Sequence, residues 1–199
     1  MTIQMPSLNR AFRRGWKSGG GETICGIGST LAATSRLRRR LPGLLEEFGI
    51  ASINDAGCGD LNWILTMDWT NFDYFGVDVV ERNSWQGARK PSFRICVADI
   101  CDRQLRACDL TICRDVFIHL PNKLIKKALH NFGLSSRYLL ATSFDGTSNL
   151  NREIQLGGYG PLDLKREPFN LGEPILKIHE KHRCKYLGMW RINEQQVDQ

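Results

Sequence analysis

The sequence predicts an α/β fold with a mostly parallel seven-stranded sheet and helices on both of its faces. Short apolar segments, typical of buried strands, alternate with segments in which apolar residues follow helical spacing. A glycine turn, NDAGCGD at residues 54–60, follows the first strand and precedes a helix-like segment. Because glycine carries no Cβ atom, such a turn lets a ligand approach the backbone closely.

The predicted elements follow in order along the chain. We expect residues 1–30 to form an irregular, glycine-rich basic arm and residues 31–199 to form one domain. Leucines at helical spacing predict a helix over 31–48, capped by Thr30 and kinked or divided at Pro42. After a first strand ending at Ile53 come a helix-like run over 61–67 and a helix over 122–132. Further strands are predicted over 72–80, 93–97, 109–113, 138–142, 175–179 and 186–192.

A long polar connection separates the fifth strand from the last two. Residues 144–173 are rich in glycine, asparagine and proline, and connections of this length often serve as lids or binding loops. We expect this loop to close over a substrate, with Arg152 and Tyr159 as contacts and Gly157-Gly158 as a hinge. Packing of its leucines as structural cover is the competing interpretation. Trp16 on the N-terminal arm is a third candidate substrate contact.

Charge and cysteine content limit the kinds of partner. The formal net charge is +6, and residues 1–40 hold eight basic residues against Glu22 alone. This basic segment can bind an anionic partner such as nucleic acid, or it can be a solvated surface. The seven cysteines include no CxxC pair, so we expect reduced thiols and no metal site. No apolar run approaches the roughly 20 residues of a bilayer-spanning helix, and we expect a cytoplasmic location.

An acidic residue ends the second strand. Asp78 stands 23 residues after Asp55, which lies in the glycine turn. A carboxylate in this position can accept hydrogen bonds from both ribose hydroxyls of a nucleoside. The pair is more specific than either aspartate alone, and it predicts a nucleoside-containing ligand.

These segments resemble the class I S-adenosylmethionine-dependent methyltransferases over roughly residues 45–192. NDAGCGD resembles motif I, DYFGVD the second-strand motif, and DLTICRDVFIHLP the fourth strand and its exit. The resemblance implies a Rossmann-like methyltransferase fold with an antiparallel last strand, and S-adenosylmethionine as cofactor. It also implies that Asp55 holds the methionine end, Asp78 the ribose and Asp99 the adenine amino group. The implied cofactor contacts are Asp55, Ala56, Gly57, Cys58, Gly59, Asp78, Val79, Asp99, Ile100 and Arg114.

The resemblance implies methyl transfer but leaves the acceptor open. Transfer to oxygen needs a base, and Asp115 and His119 are the candidates. CRDV at 113–116 lacks the tetrapeptide of the amino-methylating DNA enzymes, and no Pro-Cys dipeptide marks a cytosine C5 enzyme, so both of these families are disfavoured. A dinucleotide-binding dehydrogenase is also disfavoured, because Asn62 stands where its third glycine is required. We favour a small metabolite or sugar hydroxyl as acceptor. An RNA methyltransferase that uses the basic arm and a non-catalytic cofactor-binding module are the alternatives.

Overall fold

The computed structural model of the chain describes residues 5–13, 20–88, 92–150, 152, 154–181 and 184–192. The strands are β1 Ser52–Ala56, β2 Asp73–Asp78, β3 Phe93–Val97, β4 Cys108–Cys113, β5 Ser136–Phe144, β6 Leu176–His179 and β7 Lys185–Arg191. The α-helices of this part of the chain are α1 Met5–Phe12, α2 Leu31–Glu47 and α3 Asn122–Gly133.

All seven strands belong to one sheet, in the order β3-β2-β1-β4-β5-β7-β6. Strands β1 to β5 pair in parallel, and β7 is antiparallel to both of its neighbours. This topology confirms the predicted fold class, including its antiparallel last strand. The strand order reverses between β1 and β4, which opens a crevice at the carboxyl ends of the strands.

Two apolar clusters cover the two faces of the sheet. Helices α1 and α3 contribute to one cluster, and α2 contributes to the other together with the connections after β1 and β2. Trp69 and Trp85 lie buried in these connections. Their indole N–H groups donate to the carbonyls of Ile64 and Gly59 at 2.7 and 2.8 Å. Large buried indoles thus cover part of a face where a helix is expected.

The helix expected over 61–67 is wrong in extent. A 3-10 turn at Ile64–Thr66 is the regular structure in this segment. Leu61 has a φ of 64°, a left-handed conformation that interrupts an α-helix before it starts. The indole of Trp69 then fixes the end of the segment through the carbonyl of Ile64.

The expectation that residues 1–30 are irregular is wrong for Met5–Phe12, which forms helix α1. Leu8 and Phe12 are four residues apart and therefore share a helix face, and both contact the first apolar cluster. The short apolar stripe stands among basic and glycine residues, which hides its period in the sequence.

Helix α2 confirms Thr30 as its N-cap and is not divided into two helices at Pro42. Thr30 Oγ1 accepts from the backbone N–H of Ala33 at 3.2 Å. Pro42 lies exposed within the helix, which continues to Glu47 because its other face is held by buried leucines. These leucines are Leu37, Leu41, Leu44 and Leu45.

Three of the arginines on α2 contact the protein itself. Arg36 donates to the carbonyl of Glu180 at 3.1 Å, and Arg38 donates to the carbonyl of Leu31 at 2.9 Å. Arg40 forms an exposed ion pair with Glu47. These three arginines of the basic segment therefore contact the fold itself, which weakens the interpretation of the segment as an anion-binding surface.

The connection between β5 and β6 is pinned to the sheet at several points. Leu162, Leu164 and Phe169 are buried in the first apolar cluster. The backbone N–H groups of Gly157 and Gly160 donate to carbonyls of the segment after β4, at 3.0 and 2.9 Å. These contacts support the interpretation of much of this connection as structural cover.

Arg152 holds this connection against the segment after β4. Its guanidinium donates to the oxygens of Phe117, Leu120, Asn122, Gly160 and Pro161, at distances between 2.8 and 3.3 Å. Burial lowers the pKa of Arg152 to about 10, so the group remains charged near neutral pH. All five N–H groups of an arginine can be used in such an arrangement. The contacts favour a structural role for Arg152 over the substrate contact expected from the sequence.

Replacing Arg152 with methionine should lower the free energy of unfolding by about 2–4 kcal/mol, because several buried carbonyls lose a charged donor. Chemical denaturation of the two proteins measures the difference. Arg39→Met, at an exposed position on α2, is the matched control and should change little. Equal losses in the two variants would contradict the role assigned to Arg152.

Candidate active site

A cavity of about 300 Å³ opens at the carboxyl ends of β1 to β4. Its volume lies at the lower end of the range of small-molecule sites. The structure brings most of the predicted site residues together in its walls. These are Gly57, Gly59, Asp78, Val79, Asp99, Ile100, Arg114, Asp115, His119 and Tyr159.

The turn after β1 packs against other protein segments through its glycines. Gly57 has a φ of 89°, and a Cβ atom there would overlap Val116. Gly59 has a φ of 58°, and its Cβ would lie 2.5 Å from Cys25 Sγ. The N–H of Gly57 donates to the carbonyl of Val77 at 2.7 Å. Glycine is therefore required for packing at this turn, before any ligand is considered.

Asp78 joins the glycine turn to the end of β2. Its Oδ2 accepts from the backbone N–H of Gly59 at 3.0 Å, and its Oδ1 accepts from that of Val80 at 2.9 Å. Burial raises the pKa of this carboxyl above its ordinary value. Each carboxylate oxygen can accept a further bond, so Asp78 can still bind hydroxyl donors in the cavity.

Asp99 lies in the wall of the cavity beyond β3. Its Oδ1 accepts from the backbone N–H of Cys101 at 2.8 Å. Its Oδ2 is buried and has no hydrogen-bond partner among the described residues. Burial raises the pKa of Asp99. A buried oxygen without a donor is costly in a protein, so a ligand that donates here would be stabilised.

Asp55, Ala56 and Cys58 lie outside the main cavity. Asp55 accepts from the hydroxyl of Tyr74 at 2.6 Å, and burial raises its pKa to about 7. Asp55 and Cys58 line a second space of about 30 Å³, next to Arg114. Ala56 is fully buried in the sheet. Direct ligand contact is therefore open to Asp55 and Cys58 through the small space and is not available to the Ala56 side chain.

Four charged side chains form a buried cluster at the β4 end of the cavity. Arg114 contacts Glu180 at 2.7 Å and Asp115 at 3.3 Å. Lys185 contacts Asp115 and Glu180, each at 2.7 Å. The two cations and two anions balance in charge. The sequence analysis missed Glu180 and Lys185, because they come from the β6–β7 hairpin, far along the chain.

This cluster makes Asp115 a weak base. Burial alone would raise its pKa, but the charges of Arg114 and Lys185 outweigh burial and hold the pKa at about 2. Thr142 Oγ1 also donates to its Oδ1 at 3.0 Å. A carboxylate stabilised in this way removes protons poorly, which disfavours the base role expected for Asp115.

His119 is held in a defined orientation. Its Nδ1 lies 2.6 Å from the carbonyl oxygen of Gly158, which can only accept, so Nδ1 carries the proton. The basic lone pair of the neutral ring is then on Nε2. Burial lowers the pKa of His119, which keeps the ring neutral near pH 7. The rings of Phe12 and Tyr159 contact it edge to face, with centroids 6.3 and 6.4 Å away.

The N-terminal segment completes the walls of the cavity. Residues 25–29 line it, and a Cβ atom at Gly28 would lie 2.7 Å from Asp115 Oδ2. Helix α1 contributes Leu8 and Phe12. The sequence predicts neither helix α1 nor which residues of the glycine-rich arm line the cavity. Trp16, the predicted substrate contact, lies outside the described residues.

Two further contacts lie at the β2 end of this cavity. Asn9 of α1 donates to the carbonyl of Val79 at 2.8 Å. Arg82 donates to the carbonyls of Phe12 and Arg13 at 3.1 and 3.3 Å. Helix α1 is thereby fastened to the segment that follows Asp78.

The described part of the chain contains no group of three His, Cys, Asp or Glu side chains placed to hold a metal ion. None of its helices combines the length and apolar character needed to cross a membrane.

No family model and no curated protein matches the chain. Solved structures match it over nearly its whole length. Magnesium protoporphyrin IX methyltransferase from Synechocystis PCC 6803, with bound SAM, is 12% identical with a TM-score of 0.63, covering 96% of this chain and 99% of its own. The 1,6-didemethyltoxoflavin-N1-methyltransferase of Burkholderia thailandensis is 14% identical with a TM-score of 0.62, covering 97% and 92%. The N-terminal domain of EvdMO1 with bound SAH is 16% identical with a TM-score of 0.55, covering 97% and 98%. This chain therefore has the Rossmann-like fold of the class I methyltransferases.

Proposed function

We propose that the chain is an S-adenosylmethionine-dependent methyltransferase that acts on a small molecule. The observation that carries the proposal is the pair of cavity-lining carboxylates, the half-buried Asp78 and the buried Asp99, at the ends of adjacent strands beside a glycine turn. The unpartnered Oδ2 of Asp99 fits an adenine amino donor, and Asp78 fits ribose hydroxyls. Two of the solved structures with the same fold are methyltransferases named for small molecules, magnesium protoporphyrin IX and 1,6-didemethyltoxoflavin.

The cavity offers a place for each part of the cofactor. Ile100 lies beside Asp99 and would pack on the adenine ring, while Asp78 would hold the ribose. Arg114 and the small space next to Asp55 would receive the methionine end. Asp55, with a pKa of about 7, would accept a hydrogen bond from the amino group through that space rather than from the main cavity.

The acceptor binds at the β4 end, beside His119. When bound, S-adenosylmethionine would supply the methyl group, which would bond to the acceptor oxygen as the carbon–sulfur bond breaks and its electron pair stays on sulfur. His119 takes the hydroxyl proton at Nε2, because Gly158 fixes the other nitrogen as the protonated one. The cluster of four charged side chains, which has no net charge, holds the exit of β4 in place near His119.

Contacts within the fold lower the support for a nucleic-acid acceptor. Arg36, Arg38 and Arg40 are engaged with the protein itself. Tyr159 stands at the cavity, as expected for a substrate contact, and Arg152 does not line it. A small acceptor that enters beside Tyr159 is therefore favoured.

Calorimetric titration should show binding of S-adenosylhomocysteine to the purified chain. Asp99→Ala should weaken binding by about tenfold or more, because a ligand donor loses its buried acceptor. Asp102→Ala is the matched control, because Asp102 lies three residues away, pairs with Lys127 and does not line the cavity. A folded chain that binds no S-adenosylhomocysteine would refute the function. An equal effect of both substitutions would refute the role of Asp99.

His119→Ala should lower the rate of methyl transfer by about 10²–10⁴-fold and leave S-adenosylhomocysteine affinity nearly unchanged. The rate of the parent should fall as the pH drops through a histidine pKa below the ordinary value of about 6.5. Release of S-adenosylhomocysteine in the presence of a panel of hydroxyl compounds measures the rate. His179→Ala, at an exposed position outside the cavity, is the control. A His119→Ala variant with the parent's rate and pH profile would exclude the histidine as base.

A further inference from the structure

Two exposed apolar side chains mark the mouth of the cavity. Ile27 and Tyr159 are 68% and 63% exposed, and both line the cavity. Other exposed apolar side chains of the described residues, such as Ile24 and Leu150, do not line it. Apolar groups at the rim of a concave site are a favourable surface for an apolar ligand.

Aromatic rings flank the proposed base on two sides. Phe12 of α1 and Tyr159 of the β5–β6 connection both contact the His119 ring edge to face. Ile27 belongs to a third segment, which lines the same cavity. A flat ring bound in this cavity can pack against aromatic neighbours in offset or edge-on geometry.

The charged groups at this end of the cavity are satisfied by each other. Arg114 and Lys185 are paired with Asp115 and Glu180 at 2.7 to 3.3 Å. A charged acceptor therefore meets no net charge at the cluster. A sugar has several hydroxyl groups, each needing a hydrogen-bond partner when it leaves water, whereas the rim side chains are mainly apolar.

We propose that the acceptor is a flat, uncharged aromatic compound whose hydroxyl group lies beside His119 and whose ring rests between Ile27 and Tyr159. The proposal rests on the proposed function and narrows its acceptor from a small hydroxyl compound to an aromatic one. The sugar hydroxyl favoured from the sequence becomes the alternative that the experiment tests. The hydroxyl proton goes to His119 Nε2, as in the general reaction.

Titration of the chain saturated with S-adenosylhomocysteine tests the acceptor class. The probe is 2-naphthol, a flat neutral aromatic alcohol. The comparison compounds are decahydro-2-naphthol, which keeps the hydroxyl and loses the flat ring, 6-hydroxy-2-naphthoic acid, which keeps the hydroxyl and adds a charge, and methyl α-D-glucopyranoside. We expect 2-naphthol to bind at least about tenfold more tightly than each of the three. Equal or tighter binding of any comparison compound would overturn the proposal.

Alanine substitutions test whether the bound ring lies between Ile27 and Tyr159. Tyr159→Ala and Ile27→Ala should each weaken 2-naphthol binding by about threefold to tenfold, and S-adenosylhomocysteine affinity should not change. Leu150→Ala and Ile24→Ala are matched controls, since these apolar side chains are exposed and do not line the cavity. Effects that do not exceed those of the controls would also overturn the proposal.

The two proposals fail in different ways. Absence of S-adenosylhomocysteine binding refutes the proposed function. In that case the same 2-naphthol titrations, made on the chain alone, still decide whether the mouth selects a flat aromatic alcohol. Binding of S-adenosylhomocysteine without selective 2-naphthol binding leaves the methyltransferase proposal in place and refutes the aromatic acceptor.

Discussion

The cavity depends on glycines at the points where its walls touch. The turn after β1 meets the exit of β4 at Gly57 and the N-terminal segment at Gly59. The same N-terminal segment meets Asp115 at Gly28. A Cβ atom at any of these positions would force one wall away from another. The glycines that the sequence suggests for ligand approach therefore act first in packing, and the space for a ligand is what remains between the closely packed segments.

A second constraint is the balance of buried charge beside that space. Removing ions from water is costly, and Arg114, Asp115, Glu180 and Lys185 offset this cost through mutual contacts. The cluster joins the exit of β4 to the hairpin between β6 and β7. The last two strands therefore support the β4 end of the cavity. It also makes two nearby side chains differ in basicity. Asp115 is held ionised and weakly basic, while His119 stays neutral and basic.

The sequence could predict the features that are local in the chain. The strands and Asp78 follow from apolar segments and from one spacing, and Asp99 follows from the motif after the third strand. Helix α1 could not be predicted with the same ease, because Leu8 and Phe12 form a short stripe within a polar segment. Lys185 and Glu180 have no local signal, because only the sheet order brings them to Asp115. Arg152 shows the limit for polar residues in loops. Its sequence context fits a ligand contact, whereas the folded chain directs its N–H groups to backbone carbonyls.

The attachment of α1 links one end of the chain to one half of the cavity. Asn9 and Arg82 fasten the helix to residues that follow Asp78, while Leu8 and Phe12 form part of the wall. A chain shortened past Phe12 would keep the whole sheet and most of both apolar clusters. It would lose wall area and backbone contacts at the end of the cavity beside Asp78. It would also lose Leu8 from the first apolar cluster, so the same short helix serves both the core and the cavity wall.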